Sequence, residues 1–374
     1  MRHANLSFVI VLLCSLSIGG LHAMAVTVPA DSVNQLAAAI AEAGPGGEVV
    51  LEAGVHKESG TVLVATPVSI VGQDSAVLET GTAAALVSPI PVQPAFHIKG
   101  ADGARVQNLS IRPPEGATAN CGILIENAAD VEIVGNRITG HQLGTLVQRG
   151  DRARIQGNTI RIVSDQSGSR AEHGIVVING NHVTAQDNWV TGALIGIFLS
   201  SRGGDASGNT AEGNVFGMVL CTPSNLYEIS GKVAIAEVPA TGWIVYQNTS
   251  VGNSWGYLVI DGANHNVLVN NSAALNTMYD VELAGETERF GWLMPSSHDN
   301  LVVQGLNYQG LTVKNCGTDN QVRGHVNRRV IGRAPGSISR HAADCTPHTA
   351  KETHFASVIN IPRLAVPIAR ARVH

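Results

Sequence analysis

The stretch from Gly122 to Asn158 reads GILIENAADVEIVGNRITGHQLGTLVQRGDRARIQGN and contains one phrase twice. In each copy a glycine opens a short apolar strand, a polar turn follows, and a second short strand ends in Gly-Asn. Further copies open at Gly174, Gly196, Gly217 and Gly256. The opening glycines are 22, 30, 22, 21 and 39 residues apart, so the base period is near 22 with insertions. Such a period is typical of a coil repeat.

Each repeat is too short to hold a crossover helix between parallel strands, yet it contains two or three strand-sized runs. The sequence therefore predicts an all-β fold, a right-handed parallel β-helix, whose coils stack ~4.8 Å apart and align equivalent residues in rows. We expect the asparagines that end the second strands to form one structural row at a turn. They are Asn136, Asn158, Asn188, Asn209, Asn248 and Asn271.

The N-terminal part predicts an export signal and then a cap on the coils. Residues 1–25 combine Arg2, an apolar stretch and small residues on both sides of Met24, as a cleaved secretory signal peptide does. Residues 26–66 contain a short helix within 32–43 and a first strand, and residues 67–327 contain the coils. We expect an exported protein, periplasmic or extracellular, with no stable membrane span after cleavage.

The cap is also where a family resemblance is found. The run from Val33 to Ile40, the turn Pro45-Gly46-Gly47 and the strand that follows resemble the N-terminal cap of the pectin-lyase-like right-handed parallel β-helix superfamily. In that superfamily a helix plugs the open end of the coil. The repeats are similar to those of the NosD-type periplasmic proteins and the alginate epimerases. The resemblance covers most of residues 27–327 and implies that chemistry would lie on the outer face of the strand opened by the repeat glycines.

Composition and charge narrow the function classes. The chain has 374 residues, of which 44% are hydrophobic and 14% charged, which rules out a disordered chain and allows a sizeable core. A net charge of −5 argues against a general nucleic-acid binder. Residues 328–374 are basic, and we expect them to pack back on the acidic body through the apolar run from Phe355 to Ala369. An anion-binding arm is the alternative for this tail.

Four cysteines follow the signal peptide: Cys121, Cys221, Cys316 and Cys345. Cys121 and Cys221 lie four coils apart, which is ~19 Å along the axis and too far for a disulfide bond. Cys316 and Cys345 flank the end of the coils. We expect these two to form a disulfide that ties the tail to the coils.

Period-two alternation points the first and third residues after each opening glycine inward and leaves the second outward. These outward residues form an apolar stripe that ends at Glu282: Leu124, Leu146, Val176, Phe198, Val219 and Leu258. An exposed stripe of this length invites association. Loops and tail could seal it, loops could wall it into a ligand groove with an apolar floor, or a second copy could cover it.

The candidate site residues lie beside this stripe. The candidate catalytic residues are Arg170, Glu172, His173, Arg202 and Tyr227, and the candidate binding residues are Phe198, Glu228, Glu282, Arg289 and His298. A histidine beside a carboxylate and a cation can act as general acid or base, although a solvated loop end has the same composition. By family analogy the enzyme would be a polysaccharide lyase or epimerase, with Arg170 or Arg202 neutralising a uronate and His173 or Tyr227 as base.

Several enzyme signatures of related β-helix families are missing from the sequence. It lacks the paired aspartates and Gly-His-Gly of polygalacturonases, the Asp-Pro-His-Asp of alginate epimerases and the acidic cluster of calcium-dependent pectate lyases. No metal-ligand spacing or cofactor motif is found, so we expect neither group. The alternatives are a non-catalytic β-helix that binds a polysaccharide or cell-surface glycan, or self-associates through the stripe, and a NosD-like maturation factor. Mixed charge around the stripe favours neutral or acetylated sugars.

Overall fold

The computed structural model describes residues 24–81, 92–115, 117, 119–162, 172–222, 239–289 and 292–331. These residues form short strands and one helix, α1 (Leu36–Ala43). The first strands are β1 (Ala25–Val28), β2 (Glu48–Leu51), β3 (Gly54–Glu58), β4 (Val62–Val64), β5 (Ser69–Gly72), β6 (Ala76–Thr80), β7 (Pro94–Lys99), β8 (Arg105–Gln107), β9 (Ser110–Arg112), β10 (Ala119–Glu126), β11 (Glu132–Val134), β12 (Arg137–Thr139), β13 (His141–Gln148), β14 (Arg154–Gln156), β15 (Thr159–Arg161) and β16 (His173–Gln186).

The remaining strands are β17 (Trp189–Thr191), β18 (Ile195–Ser207), β19 (Thr210–Glu212), β20 (Phe216–Leu220), β21 (Thr241–Tyr246), β22 (Thr249–Val251), β23 (Trp255–Val259), β24 (Val267–Val269), β25 (Ser272–Ala274), β26 (Tyr279–Leu283), β27 (Thr287–Arg289), β28 (Trp292–Met294), β29 (Leu301–Gln304), β30 (Leu311–Asn315), β31 (Gln321–Gly324) and β32 (Val326–Ile331). Among the described strands, only β27 and β28 pair antiparallel. Every other described pairing between strands is parallel, as the repeats predict.

The strands form three parallel stacks around one core. The first stack runs β4, β7, β10, β13, β16, β18, β20, β23, β26, β30 and β32. The second contains β1, β2, β5, β8, β11, β14, β21, β24, β29 and β31, and it is joined to the first through the long strands β16 and β18. The third runs from β3 to β25. This is the right-handed parallel β-helix that the sequence predicts.

The register of the first stack explains the repeat glycines. Ile123, Thr145, Ile175, Ile197, Met218 and Tyr257 occupy one row, so the glycine before each of them occupies the next. A Cβ atom on Gly122 would lie 2.6 Å from the carbonyl oxygen of Gly144 in the following coil. Side chains are therefore sterically excluded where two coils approach this closely, and glycine opens the strand.

The predicted asparagine row is confirmed. The side-chain Nδ2 of Asn136 donates to Oδ1 of Asn158 at 3.1 Å, and equivalent bonds of 2.9–3.0 Å continue through Asn188, Asn209 and Asn248 to Asn271. All six side chains are buried. Each also donates to a backbone carbonyl or accepts a backbone N–H of a neighbouring coil, so the row satisfies polar groups that the turn leaves unpaired.

The N-terminal end is closed by α1. Its buried residues Leu36, Ala39, Ile40 and Ala43 belong to the same apolar cluster as the inward side chains of the coils. The helix starts later than the run from residue 32 because Val33 forms a bridge to Lys57 and Asn34 has a positive φ of 50°. Among the described residues, no helix is long and apolar enough to cross a bilayer. The expected signal segment up to residue 23 and the tail from residue 332 lie outside the described ranges.

Candidate functional site

The outer face of the first stack carries three rows of side chains. The middle row is the predicted stripe and extends beyond it: His97, Leu124, Leu146, Val176, Phe198, Val219, Leu258, Glu282 and Lys314. The entry row, where the chain enters each strand, is Cys121, Leu143, His173, Ile195, Phe216, Trp255 and Tyr279. The exit row begins Lys99, Glu126, Gln148, Ile178 and Ser200.

The alternation predicted for these strands is confirmed, but the stripe is not open to solvent. Ile123 and Ile125 point into the core, whereas Leu124 between them belongs to a second, separate apolar cluster on the outer face. The six apolar residues of the middle row are only 0–7% exposed. An uncovered sheet face would leave more of such side chains accessible. The middle row is therefore sealed rather than the floor of an open groove.

Aromatic side chains occupy consecutive coils at one end of the entry row. Phe216 stacks on Trp255 with ring centroids 5.0 Å apart and an interplanar angle of 23°. Tyr279 follows in the next coil, paired in register with Trp255. Trp255 and Tyr279 are each partly exposed, unlike the sealed middle row beside them. This end of the face therefore offers aromatic surface to a ligand.

Behind the aromatic rings lies a buried ion pair. Oε1 of Glu282 is 3.0 Å from Nζ of Lys314, and Oε2 of Glu282 accepts a 2.8 Å hydrogen bond from the indole Nε1 of Trp255. Nζ of Lys314 also lies 5.2 Å from the centroid of the Tyr279 ring. The side chains of Lys314 and Glu282 are 5% and 11% exposed. The pair thus contacts both aromatic rings, since Glu282 accepts from the Trp255 indole and Lys314 lies over the Tyr279 ring.

A second charged group lies at the opposite end of the middle row. Nε2 of His97 is 2.9 Å from Oε2 of Glu126, and Nζ of Lys99 is 3.6 Å from the same oxygen. Burial lowers the pKa of His97, and the hydrogen bond to Glu126 opposes that effect without cancelling it. His97 is only 1% exposed. His97 and Glu126 are therefore buried at this end of the face, whereas the side chain of Lys99 is 54% exposed.

His173 and Phe198, two predicted site residues, are brought together by adjacent coils. Their ring centroids lie 6.0 Å apart at 71°, an edge-to-face contact. His173 is 3% exposed, and the backbone carbonyl of the preceding Glu172 accepts the Leu194 N–H at 2.7 Å. Phe198 is separated from Glu282 by three coil steps, or ~14 Å. The structure therefore does not gather these residues around one reacting atom.

Arg202 and His298 lie elsewhere on the coils. Arg202 comes after β18 has turned into the second stack, where it pairs in register with Asn181 and Thr241. His298 forms a bridge to Thr318 at the same corner, and its Nδ1 is 2.8 Å from Oδ2 of Asp299. Arg202 lies seven residues after Ile195, the residue that pairs with His173, so Arg202 belongs to the other edge of the face.

The other predicted site residues fall outside what the structure describes. Arg170, Tyr227 and Glu228 lie in undescribed segments, and of Arg289 only the backbone in β27 is described. Cys121 and Cys221 are not disulfide-bonded to each other, as the spacing predicts, and Cys316 is disulfide-bonded. Its expected partner Cys345 lies outside the described residues, so that pairing stays a prediction. Within the described ranges no group of three or more His, Cys, Asp or Glu side chains is arranged to hold a metal ion.

The sequence predicts Glu282 but misses two other charged or titratable residues of the middle row, Lys314 and His97. Lys314 follows Thr312, and His97 follows Ala95, in coils where another residue replaces the opening glycine. The pattern of opening glycines therefore does not identify either coil. The alternation along the strand could have identified His97 and Lys314, because each lies two residues after the position that the glycine takes in the other coils.

No protein-family model matches the sequence, and no curated protein does. Among solved structures, the alginate lyase from Paenibacillus sp. str. FPU-7 matches with a TM-score of 0.54 at 14% identity, over 81% of this chain and 99% of that one. The endo-xylogalacturonan hydrolase from Aspergillus tubingensis matches with a TM-score of 0.50 at 11% identity, over 86% of this chain and 99% of that one. Together with the stacks and rows described above, these matches show that the chain has the right-handed parallel β-helix fold.

Proposed function

We propose that the protein is an exported polysaccharide-binding β-helix whose binding site is the aromatic end of the entry row. The observation that carries this proposal is the pair of partly exposed rings, Trp255 and Tyr279, held over the buried Glu282–Lys314 ion pair. The two structural matches support the substrate class, since both are named for action on polysaccharides.

The chemistry of these side chains suits a sugar. A pyranose ring presents C–H groups on its faces and hydroxyls at its rim, so it packs on an aromatic face while its rim forms hydrogen bonds. Trp255 and Tyr279 offer rigid, amphipathic surface for the first contact. Lys314 and Glu282 hold these rings in place, through the contact with Tyr279 and the hydrogen bond from Trp255. Adjacent coils repeat at ~4.8 Å, close to the length of one sugar residue, so successive rings can follow one chain.

The charge at this end bears on the kind of sugar. Glu282 and Lys314 neutralise each other at 3.0 Å, so the pair brings no net charge to this end of the face. A uronate polymer would need basic side chains to balance its carboxylates. Neutral or acetylated polysaccharides therefore fit better than strongly anionic ones.

The position of the candidate base, His173, favours binding without turnover over lyase or epimerase chemistry. His173 is three coils from Trp255 in the entry row, which is ~14 Å, and it is almost fully buried against Phe198. Proton transfer needs the base within hydrogen-bond reach of the reacting atom. A sugar seated on Trp255 does not come within reach of His173.

The test is gel retardation of the mature protein on a panel of neutral, acetylated and uronate-containing polysaccharides, with absorbance near 235 nm followed in parallel. We expect at least one neutral or acetylated polysaccharide to retard the protein. Retardation should be lost in Trp255→Leu and kept in Trp189→Leu, a matched change of an exposed tryptophan on the third stack. Equal retardation of both variants would place binding elsewhere, and a 235 nm signal would establish a lyase instead.

A further inference from the structure

Two histidines lie side by side at the corner where the first stack turns into the second. Asn264 forms a bridge to His298, so His265 and His298 belong to neighbouring coils. Their ring centroids are 6.1 Å apart and their planes are inclined at 81°. Both rings are accessible to solvent, since His265 is exposed and the side chain of His298 is 39% exposed. The two residues are 33 positions apart in sequence, and the stacking of the coils brings them together.

The hydrogen bonds around His265 determine which of its nitrogens carries the proton. Nδ2 of Asn264 donates to the carbonyl of Gly262 at 2.8 Å, which fixes the orientation of the amide, and Oδ1 of Asn264 accepts from the Thr241 hydroxyl at 2.8 Å. Oδ1 is therefore the atom that lies 2.7 Å from Nδ1 of His265. An amide oxygen only accepts, so Nδ1 carries the hydrogen and Nε2 of the neutral ring keeps its lone pair.

A carboxylate orients His298 in the same way. Oδ2 of Asp299 lies 2.8 Å from Nδ1 of His298 and accepts its hydrogen. Within the described residues, neither Nε2 atom of the two histidines has a hydrogen-bond partner. A metal-binding histidine typically donates its other ring N–H to a carboxylate or carbonyl, which orients the ring and makes the ligating nitrogen more basic. Both histidines have that supporting hydrogen bond.

The separation of the two rings suits one shared ion. With metal–nitrogen bonds of ~2.0–2.1 Å, two imidazole rings on the same ion have centroids roughly 5–6 Å apart. The observed 6.1 Å is close to that range, and a rotation of the exposed His265 ring brings its Nε2 towards His298. The backbone beneath is held in place, because the buried Asn266 donates through Nδ2 to Oδ1 of the buried Asn300 at 2.9 Å.

The ligand atoms select the class of ion. Imidazole nitrogens suit zinc, copper and nickel, whereas calcium and magnesium take oxygen ligands. Asp299 adds negative charge beside the pair, and Asp319 takes the equivalent position in the next coil, since both follow the bridged residues and have a φ of 54°. The described residues form no metal-binding group of three or more His, Cys, Asp or Glu, so the other coordination positions would take water.

We propose that His265 and His298 form a two-histidine site for a late first-row divalent cation such as Zn²⁺ or Cu²⁺, bound through both Nε2 atoms. Asn264 and Asp299 are positioning residues, because they hold the Nδ1 atoms of the two rings. The site lies at the exit edge of the first stack, whereas Trp255 lies at its entry edge. The inference is therefore independent of the proposed polysaccharide binding.

Calorimetric titration of the tag-free, EDTA-treated mature protein with Zn²⁺ tests the site. His265→Asn and His298→Asn should each remove the same single binding event, and the double variant should lose nothing further, because both rings share one ion. Asparagine tolerates the φ of 54° at residue 265. The matched change His182→Asn alters an exposed histidine at the same corner with a φ of 53° and should leave Zn²⁺ affinity unchanged, as should Trp255→Leu.

Two further readouts examine the ligands directly. The electron paramagnetic resonance spectrum of the Cu²⁺ complex should show splitting from two imidazole nitrogens, and His298→Asn should remove it. Asp299→Asn keeps both ligands and should weaken Zn²⁺ binding about tenfold or more. Three results would overturn the proposal: no saturable Zn²⁺ binding by the wild type, separate binding events removed by the two histidine variants, or equal Zn²⁺ affinity in His265→Asn and His182→Asn.

Discussion

A single buried histidine makes the stability of the protein sensitive to acid. His141 is fully buried, and neither of its ring nitrogens has a partner within the described part of the chain. Burial lowers its pKa to about 4, and the nearby backbone of Ile111 offsets only part of that effect. In the unfolded chain the imidazole of His141 binds a proton below pH ~6.5, whereas in the folded chain it stays neutral until the pH nears 4. The contribution of His141 to stability is therefore present above pH ~6.5 and is lost as the pH falls towards 4. The lowered pKa of His97 acts in the same direction.

We therefore expect the free energy of unfolding to fall between pH 7.5 and 4.5, with about 2–3 kcal/mol of the loss due to His141. Urea unfolding of the wild type and of His141→Leu at both pH values measures this. The loss should be smaller in the variant by that amount. Equal losses in the two proteins would show that His141 takes up its proton in the folded state as easily as in the unfolded one.

The ion pair under the aromatic rings predicts an asymmetric response to mutation. Lys314→Met leaves the carboxylate of Glu282 buried with only the Trp255 hydrogen bond, which should cost about 3–5 kcal/mol. The double change Lys314→Met and Glu282→Gln removes both charges and should recover most of that loss. Denaturant midpoints of the single and double variants test this. A double variant no more stable than the single one would contradict a pair that acts as a unit.

At the scale of elements, the asparagine row ties the coils together. Asn188 donates to Oδ1 of Asn209 at 2.9 Å and to the carbonyl of Ile155 at 2.8 Å, while its Oδ1 accepts the N–H of Asn158 at 3.0 Å. Asn188→Ala removes these bonds and leaves buried groups unsatisfied, so we expect a loss of about 3 kcal/mol in chemical unfolding. Gln156→Ala, a half-buried neighbour on β14, should change stability by less than about 0.5 kcal/mol. Similar losses in both variants would refute the structural role of the row.

The sequence predicts elements well where one rule repeats. The glycine period and the alternation identify the first stack, and the row from Asn136 to Asn271 follows from them. Two further asparagine rows are missed. Asn214 also follows a glycine, and its N–H donates to Oδ1 of Asn253, while the side chain of Asn266 donates to Oδ1 of Asn300. Asn214 and Asn253 lie five residues after Asn209 and Asn248 and keep the same spacing, but they lie at the next turn, after a further short strand that the repeat phrase does not include. A row is visible in sequence only at the turn that the repeat phrase describes.

At the scale of the whole molecule, the fold follows from the sequence and the site does so only in part. Glu282 is predicted because it continues the stripe, but its pairing with Lys314 depends on which coils become neighbours. Arg202 is placed beside the stripe because it follows Phe198 closely, whereas β18 turns a corner before reaching it. Whether the stripe is open or sealed depends on what packs over the sheet, which alternation cannot report.

The measurement that tests the central proposal most directly is a calorimetric titration of the mature protein with oligosaccharides cut from the polysaccharide that retards it most. We predict saturable binding to the wild type and to Trp189→Leu, with affinity reduced at least about tenfold in Trp255→Leu, since an aromatic anchor is worth about 1–2 kcal/mol or more. All three proteins should have the same melting temperature within a few degrees. Unchanged affinity in a folded Trp255→Leu protein would contradict the assignment of the site to the aromatic end of the entry row.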